Sequence, residues 1–268
     1  MSEYKKVAVV TGGGDGLGKG IALKYLQNGL KVVISDINKS VLEATKDEFA
    51  KKGFEVTTFV GDVSKKADQK ALVDLAVKTY GHLDVFVNNA GIEGVKWLAD
   101  ETDESIDRLF GINVKGVIFG IQAACEQYKK QYEEDKKAGT KRIYKVINAC
   151  SIAGHETFEL LGIYCASKYA VRSLTQGAAK EYSRFNIIVN SYCPGVAGTK
   201  MWDRIDPALS EAYGWKKGEA FKKFTDQILL GRPQVPEDVA ELAYFLASDA
   251  SNYITGQSII TDGGIVYR

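Results

Sequence analysis

The segment Thr11-Gly12-Gly13-Gly14-Asp15-Gly16-Leu17-Gly18 limits the possible folds more than any other in this chain. It follows an apolar, strand-like run, Val7-Ala8-Val9-Val10, and leads into an amphipathic stretch from Leu17 to Gln27. Glycine lets a backbone turn tightly and approach a pyrophosphate closely. A helix that starts at such a turn offers free N–H groups and a partial positive charge to phosphates. A glycine-rich turn alone is common. Its place between a strand and a helix makes dinucleotide binding the expected use, with Gly12, Asp15, Gly16, Leu17 and Gly18 around the phosphates.

Asp36 ends the second strand-like run, Val32-Val33-Ile34 and its continuation. A dinucleotide-binding fold needs an acid there for the adenosine ribose. Its carboxylate accepts hydrogen bonds from both ribose hydroxyls and repels the additional phosphate of NADP. Asp15 is expected to add to that repulsion, and Ile37 supplies no cation to relieve it. NAD(H) is therefore the expected cofactor.

The rest of the chain repeats this rhythm. Helical patterns near Lys39–Lys51 and Ala67–Thr79 alternate with the runs Glu55–Val60 and Asp84–Val87. Tyr144–Asn148, Ile187–Asn190 and Ser258–Ile260 read as later strands. Apolar runs between amphipathic helices predict an α/β fold, a parallel sheet covered on both faces. No internal repeat or low-complexity linker divides the chain, so residues 1–268 are expected to form one domain.

Two segments break the pattern. Gln127–Arg142 is densely charged and reads as a solvated helix extension, a surface insertion with mixed-sign pairs. Thr199–Leu230 carries Met201, Trp202, Tyr213, Trp215, Phe221 and Phe224. It reads either as ordinary packing or as a lid over a pocket, and its place after a strand end puts that lid at about 199–230.

Composition excludes several classes of function. Basic and acidic side chains number 35 and 34, so no charge excess calls for nucleic acid or an anionic membrane. The first residues carry no signal-peptide core. No uninterrupted apolar run approaches the roughly 18 residues of a membrane span. The four cysteines, Cys125, Cys150, Cys165 and Cys193, form no C-x-x-C pair, and there are only two histidines. Neither a disulfide framework nor a metal site is expected. An intracellular, cytoplasmic protein is the simplest expectation.

Tyr164-Cys165-Ala166-Ser167-Lys168 opens a helical pattern that reaches about Arg184. The spacing of four puts Tyr164 and Lys168 on one helix face. A free tyrosine has a pKa of about 10, too high for a base near neutral pH. A lysine ammonium beside it is expected to lower that value, making it usable as a general acid or base. Ser151, just after a strand, is placed to hydrogen-bond a substrate oxygen.

The glycine loop, Asp62, Asn88-Asn89-Ala90-Gly91, Asn113, Ser151, Tyr164 with Lys168, and Pro194-Gly195 stand in a telling order and spacing. In these the chain resembles the short-chain dehydrogenase/reductase family over essentially its whole length. The resemblance implies a single Rossmann-type doubly wound parallel sheet, a dinucleotide cofactor and a homotetramer. It implies that Tyr164 exchanges the proton while Lys168 lowers its pKa and holds the nicotinamide ribose. Ser151 would polarise the carbonyl, and Asn113 would anchor a water leading from Lys168 to solvent. Asp62 and Val63 would contact adenine, and Asn89 and Gly91 would lie beside the adjoining ribose. Pro194, Gly195, Val196 and Thr199 would hold the carboxamide.

Ser151–Glu156, Gly198–Asp206 and Gly231-Arg232-Pro233 are similar to the acetoin/diacetyl reductase (2,3-butanediol dehydrogenase) group of that family. That resemblance implies a small ketone or alcohol as substrate, in a pocket lined by Ile152, Phe158 and Trp202 with few charges. Diacetyl and S-configured alcohols are the expected bias. His155 is expected to serve the turn and not the chemistry. Polyol or sugar oxidation, 3-oxoacyl thioester reduction and a non-catalytic NAD(H)-sensing role on the same fold are the alternatives. Asp36 and the missing basic patch count against the thioester. The intact tyrosine, lysine and serine count against the sensor.

Overall fold

A computed structural model describes residues 4–267; Met1, Ser2, Glu3 and Arg268, at the ends of the expected domain, lie outside the described residues. In chain order the first elements are β1 (Val7–Thr11), α1 (Gly16–Gln27), β2 (Lys31–Asp36), α2 (Lys39–Lys51), β3 (Thr57–Val60), α3 (Lys66–Tyr80) and β4 (Val85–Asn88). They are followed by α4 (Asp103–Phe110), α5 (Gly116–Ala138), β5 (Tyr144–Ala149), α6 (Gly162–Tyr182) and β6 (Ile187–Pro194). The chain closes with α7 (Trp202–Tyr213), α8 (Glu219–Thr225), α9 (Pro236–Ala247) and β7 (Ser258–Thr261).

The seven strands form one sheet in the order β3-β2-β1-β4-β5-β6-β7, and every pairing is parallel. Apolar residues occupy both faces of the central strands. Val7 and Val9 enter the core under α3 and α5, while Ala8 and Val10 enter the core under α1 and α9. This two-sided burial is why those runs are continuously apolar. After β3 the chain crosses to the other side of β1. The crevice between the carboxyl ends of β1 and β4 is therefore the switch point where such sheets bind ligands.

Two expectations change here. The strand read as Ile187–Asn190 continues to Pro194, because Ser191–Pro194 pair with Ser258–Thr261 of the last strand. The charged Gln127–Arg142 segment is not a surface insertion. As far as Ala138 it is the helix extension expected, the end of α5, with Tyr128, Gln131 and Asp135 buried in it. These three face the amino ends of β4 and β5, and the charges between them face solvent. By length and composition alone, the stretch Asp103–Ala138 would suffice to cross a membrane. Here α5 packs its apolar side onto α3 and β4.

Residues after β6 build a small core together with Leu160, which precedes α6. Leu160, Ile205, Leu209 and Ala220 are buried there, with Met201, Trp202, Tyr213, Trp215 and Phe224 packed around them. Buried Asp206 accepts from Gly218 N (2.6 Å) and Phe221 N (2.9 Å), which ties α7 to the start of α8. This subdomain stands over the carboxyl ends of the strands.

Candidate active site

A cleft of about 530 Å³ runs along the carboxyl edge of the sheet, from Asp36 and Asp62 at one end to Trp202 and Arg204 at the other. Its floor is the glycine loop. Gly12 and Gly16 have φ of +61° and +53°, which favours glycine. A Cβ on Gly18 would lie 2.2 Å from the Gly12 carbonyl oxygen, so the first turn of α1 must be bare to pack on the loop. Gly18 is thus buried against the loop and does not line the cleft as expected, whereas Gly12, Asp15, Gly16 and Leu17 do. The Leu17 N–H donates to no described residue, and a free amide at a helix start above a glycine floor fits a dinucleotide's pyrophosphate.

Asp36 lines the outer end of the cleft, where it accepts from Gly14 N (3.3 Å) and Asn38 N (3.0 Å). Asp62 and Val63 line the same end, and Asp62 accepts from Ser64 N (2.9 Å) and Ser64 Oγ (2.7 Å). Asp15 does not act as the free anion expected. It caps α1 through Gly16 N (2.8 Å) and pairs with Lys200 (2.5 Å). Burial works against its ionisation, yet the Lys200 ammonium and Gly16 N–H hold its carboxyl below the usual range. Its charge is thus spent within the protein.

Asn89 clamps the loop. Its Nδ2 donates to Thr11 O (2.9 Å) and Gly12 O (3.2 Å), and its Oδ1 accepts from Tyr192 (2.8 Å). Its side-chain bonds are made within the protein, while its surface still lines the cleft. Pro194, Gly195 and Thr199 line the cleft. Val196 does not; it is buried, and its carbonyl accepts from Gln234 N (2.9 Å).

Ser151, Tyr164 and Lys168 meet in the middle of the cleft. Ser151 leaves β5, and Tyr164 and Lys168 stand on the first two turns of α6. The Ser151 hydroxyl stands close enough to Tyr164 to act on its phenol, and the Lys168 ammonium is 5.6 Å from the Tyr164 ring centre. Lys168 Nζ donates to Ala149 O (3.0 Å) and is buried at the base of the cleft. Asn113 lies just behind, in a wide π-helical turn over Gly111–Lys115, a distortion often found at functional sites. It bonds both backbone groups of Ile92, at 2.9 and 2.8 Å, and Ser167 Oγ at 3.2 Å. A Cβ on Gly91 would come within 3.2 Å of Asn113 Oδ1 and 3.6 Å of Lys168 Nζ. Asn113 thus backs the lysine without bonding it directly.

The electrostatics correct the expected tyrosine. Burial pushes the Tyr164 phenol well above its ordinary value, and the Ser151 hydroxyl only partly opposes this. Burial also pushes the Lys168 ammonium down. A lysine that is itself short of solvation does not outweigh the desolvation of the phenol. The protein alone therefore holds Tyr164 as an acid.

The substrate end also differs from expectation. Trp202 lines it, as predicted, but Ile152 and Phe158 do not. Ile152 is buried, and half-buried Phe158 packs on the cluster of Ala153, Leu161 and Cys165, its ring centre 6.3 Å from that of Phe224. The lining comes instead from Ile92, Ile112 and Met201. Arg204, paired with Glu93, adds charge where little was expected. Ile92 and Glu93 follow the Asn88–Gly91 motif directly, the one local signal that pointed to them. His155 is buried, 3.3 Å from Cys193 Sγ, and burial pushes its imidazole down. It supports the turn, away from the cleft.

A sequence model for the short chain dehydrogenases matches residues 6–210. The chain is 52% identical to a diacetyl reductase [(S)-acetoin forming] of Staphylococcus epidermidis, over 98% of this chain and 99% of that one. It is 42% identical to an L-2,3-butanediol dehydrogenase of Corynebacterium glutamicum, again over 98% and 99%. Among solved structures, a 3-ketoacyl-(acyl-carrier-protein) reductase from Brucella melitensis complexed with NADH superposes with a TM-score of 0.84. It is 31% identical, over 97% of this chain and 98% of that one.

Proposed function

Because the chain belongs to the short chain dehydrogenase family, we propose that it is an NAD(H)-dependent reductase of diacetyl and acetoin that also runs the reverse oxidations. It is an oxidoreductase acting on a CH–OH group. The observation that carries the proposal is the grouping of Ser151, Tyr164 and Lys168 midway between a phosphate-binding floor and a small, largely apolar pocket.

A nicotinamide dinucleotide bound in this cleft supplies the hydride for reduction and accepts it in oxidation. The Leu17 N–H, at the start of α1, would hold its pyrophosphate, and Asp36 would hold the adenosine ribose. In reduction Ser151 donates to the carbonyl oxygen and polarises it. Tyr164 then gives its phenolic proton to the oxygen as the C–H bond forms, completing the alcohol. Lys168 stabilises the phenolate left behind. In oxidation the proton moves back to Tyr164.

The 199–230 segment acts as a lid. Its Lys200 reaches the glycine loop and its Trp202 closes the pocket over a four-carbon substrate. The products are S-configured, the bias that the names of the two relatives support. The reading extends to a homotetramer in the cytoplasm, with no nucleic-acid or membrane partner. Turnover of diacetyl, acetoin, a ketose and a 3-oxoacyl thioester with NADH tests the substrate, and chiral analysis tests the product. Diacetyl and acetoin should lead the panel; a better ketose or thioester rejects the proposal. NADPH should be about 100-fold poorer than NADH, the scale of one like-charge contact at Asp36. Equal use of both cofactors would remove Asp36 from its assigned role.

A further inference from the structure

Diacetyl and acetoin carry two oxygens on adjacent carbons, and Ser151 and Tyr164 serve one of them. The walls beyond that pair are Ile92, Ile112, Met201 and Trp202, which reward carbon more than oxygen. Arg204 breaks this pattern. It lines the same cleft from the first turn of α7, two residues after Trp202.

Its guanidinium is fixed. Nε and Nη2 donate to the two carboxylate oxygens of Glu93, Nη2 at 2.9 Å. Such a paired fork sets the plane of the guanidinium and the direction of its other hydrogens. Nη1 donates to no described residue. Glu93 is nearly buried, its side chain 11% exposed, while Arg204 stays at the open mouth with 62%. Glu93 also stands close enough to Tyr164 for its charge to push the phenol up. Ile92, next to Glu93 in the chain, and Arg204 itself line the same cleft as Ser151 and Tyr164, which puts the ion pair at the substrate end. Glu93 cancels the arginine's net charge, so the cleft does not become a general anion site.

We propose that Arg204, held by Glu93, recognises the substrate oxygen adjacent to the reacting carbonyl and so selects vicinal dicarbonyls and hydroxyketones over simple ketones. This rests on the functional reading above and names the group behind its substrate class. A charged donor to a substrate oxygen discriminates by about 10- to 100-fold against an analogue that lacks the oxygen.

The test compares kcat/KM with NADH for diacetyl, acetoin and butanone, which has the same carbon chain and one oxygen. Arg204→Met keeps the apolar stem and removes the donors. It should lose about 30-fold on diacetyl and acetoin and less than about threefold on butanone. Arg204→Lys keeps the charge without the fork and should fall between. Glu93→Gln frees the guanidinium and should narrow the diacetyl-to-butanone ratio. NADH binding and thermal melts check that each variant is folded; if Arg204→Met is not, Arg204→Lys carries the comparison. Equal losses on all three substrates overturn the proposal and leave the pair as a lid latch. So does a wild type that reduces butanone as well as diacetyl. A wild type that reduces neither vicinal substrate overturns the functional reading, and this inference with it.

Discussion

At the amino ends of the strands, Asp84 accepts from Val7 N at 2.7 Å and Gln131 bonds both Leu83 N and Leu83 O, at 2.9 and 2.8 Å. Asp135 takes the Tyr144 hydroxyl at 2.6 Å, and buried Lys145 donates to Ser251 Oγ at 3.0 Å. At the carboxyl ends the same kinds of group are left with capacity to spare. Lys168, with one hydrogen bond of the three an ammonium offers, lines the open cleft, and the Leu17 amide there makes none with a described residue. Both regions bury polar atoms at a cost. One recovers most of that cost inside the protein, buried Lys145 with its single bond excepted, and becomes architecture; the other leaves it to be recovered by a ligand and becomes a site.

The contrast is sharpest at Tyr164. Tyr164→Phe should lower kcat by about 10³-fold, with NADH binding and melting temperature kept. Residual turnover near the wild-type rate would move the proton transfer elsewhere. The opposite response is expected from Gln131→Ala. It strands the Leu83 N–H and carbonyl in the interior and should cost about 3 kcal/mol of stability by denaturant titration. Its kcat/KM should stay within about twofold of wild type. A large kinetic defect there would break the division between the two ends.

Lys145 gives the smallest and most informative effect, because its sign depends on pH. Burial lowers its folded-state pKa from 10.5 to about 8. Below pH 8 it is charged in both folded and unfolded chains, and the folded state carries the full penalty. Between about pH 8 and 10.5 the folded lysine is neutral while the unfolded one is charged, so the penalty fades as pH rises. It is gone above that range. Lys145→Met should therefore stabilise the protein at pH 7 by about 2 kcal/mol, a penalty near 3 less about 1 for the lost Ser251 bond. The gain should shrink toward pH 10 in thermal melts across the series. A constant gain at every pH would mean that packing, not charge, is responsible.

Much of the site was legible because its signals are local. The strand, glycine turn and helix start are contiguous. Asp36 is one strand further on, and Tyr164 and Lys168 share a helix face by spacing alone. What was not legible depends on partners distant in sequence. The 127–142 stretch looks like a surface by composition, yet Tyr128, Gln131 and Asp135 recur at helical spacing on its inner side. Asp15 reads as a free anion until Lys200, 185 residues later, arrives beside it. Ile152 and Phe158 follow Ser151 closely in sequence, but folding buries one and packs the other on Ala153, Leu161 and Cys165.

From the sequence alone came the α/β alternation, the doubly wound parallel sheet, the phosphate floor and the identity of the acid and its lysine. The alternation and the floor follow from backbone conformation and from periodicity over a few residues, and the doubly wound order and the roles of Tyr164 and Lys168 from the resemblance that the ordered motifs carry. Only the tertiary structure decided which way Tyr164 titrates, which side chains line the substrate end, and that Glu93 and Arg204 meet there. Each of those depends on how much water folding removes from a group and which distant charge replaces it. Neither quantity exists until the lid and the sheet come together.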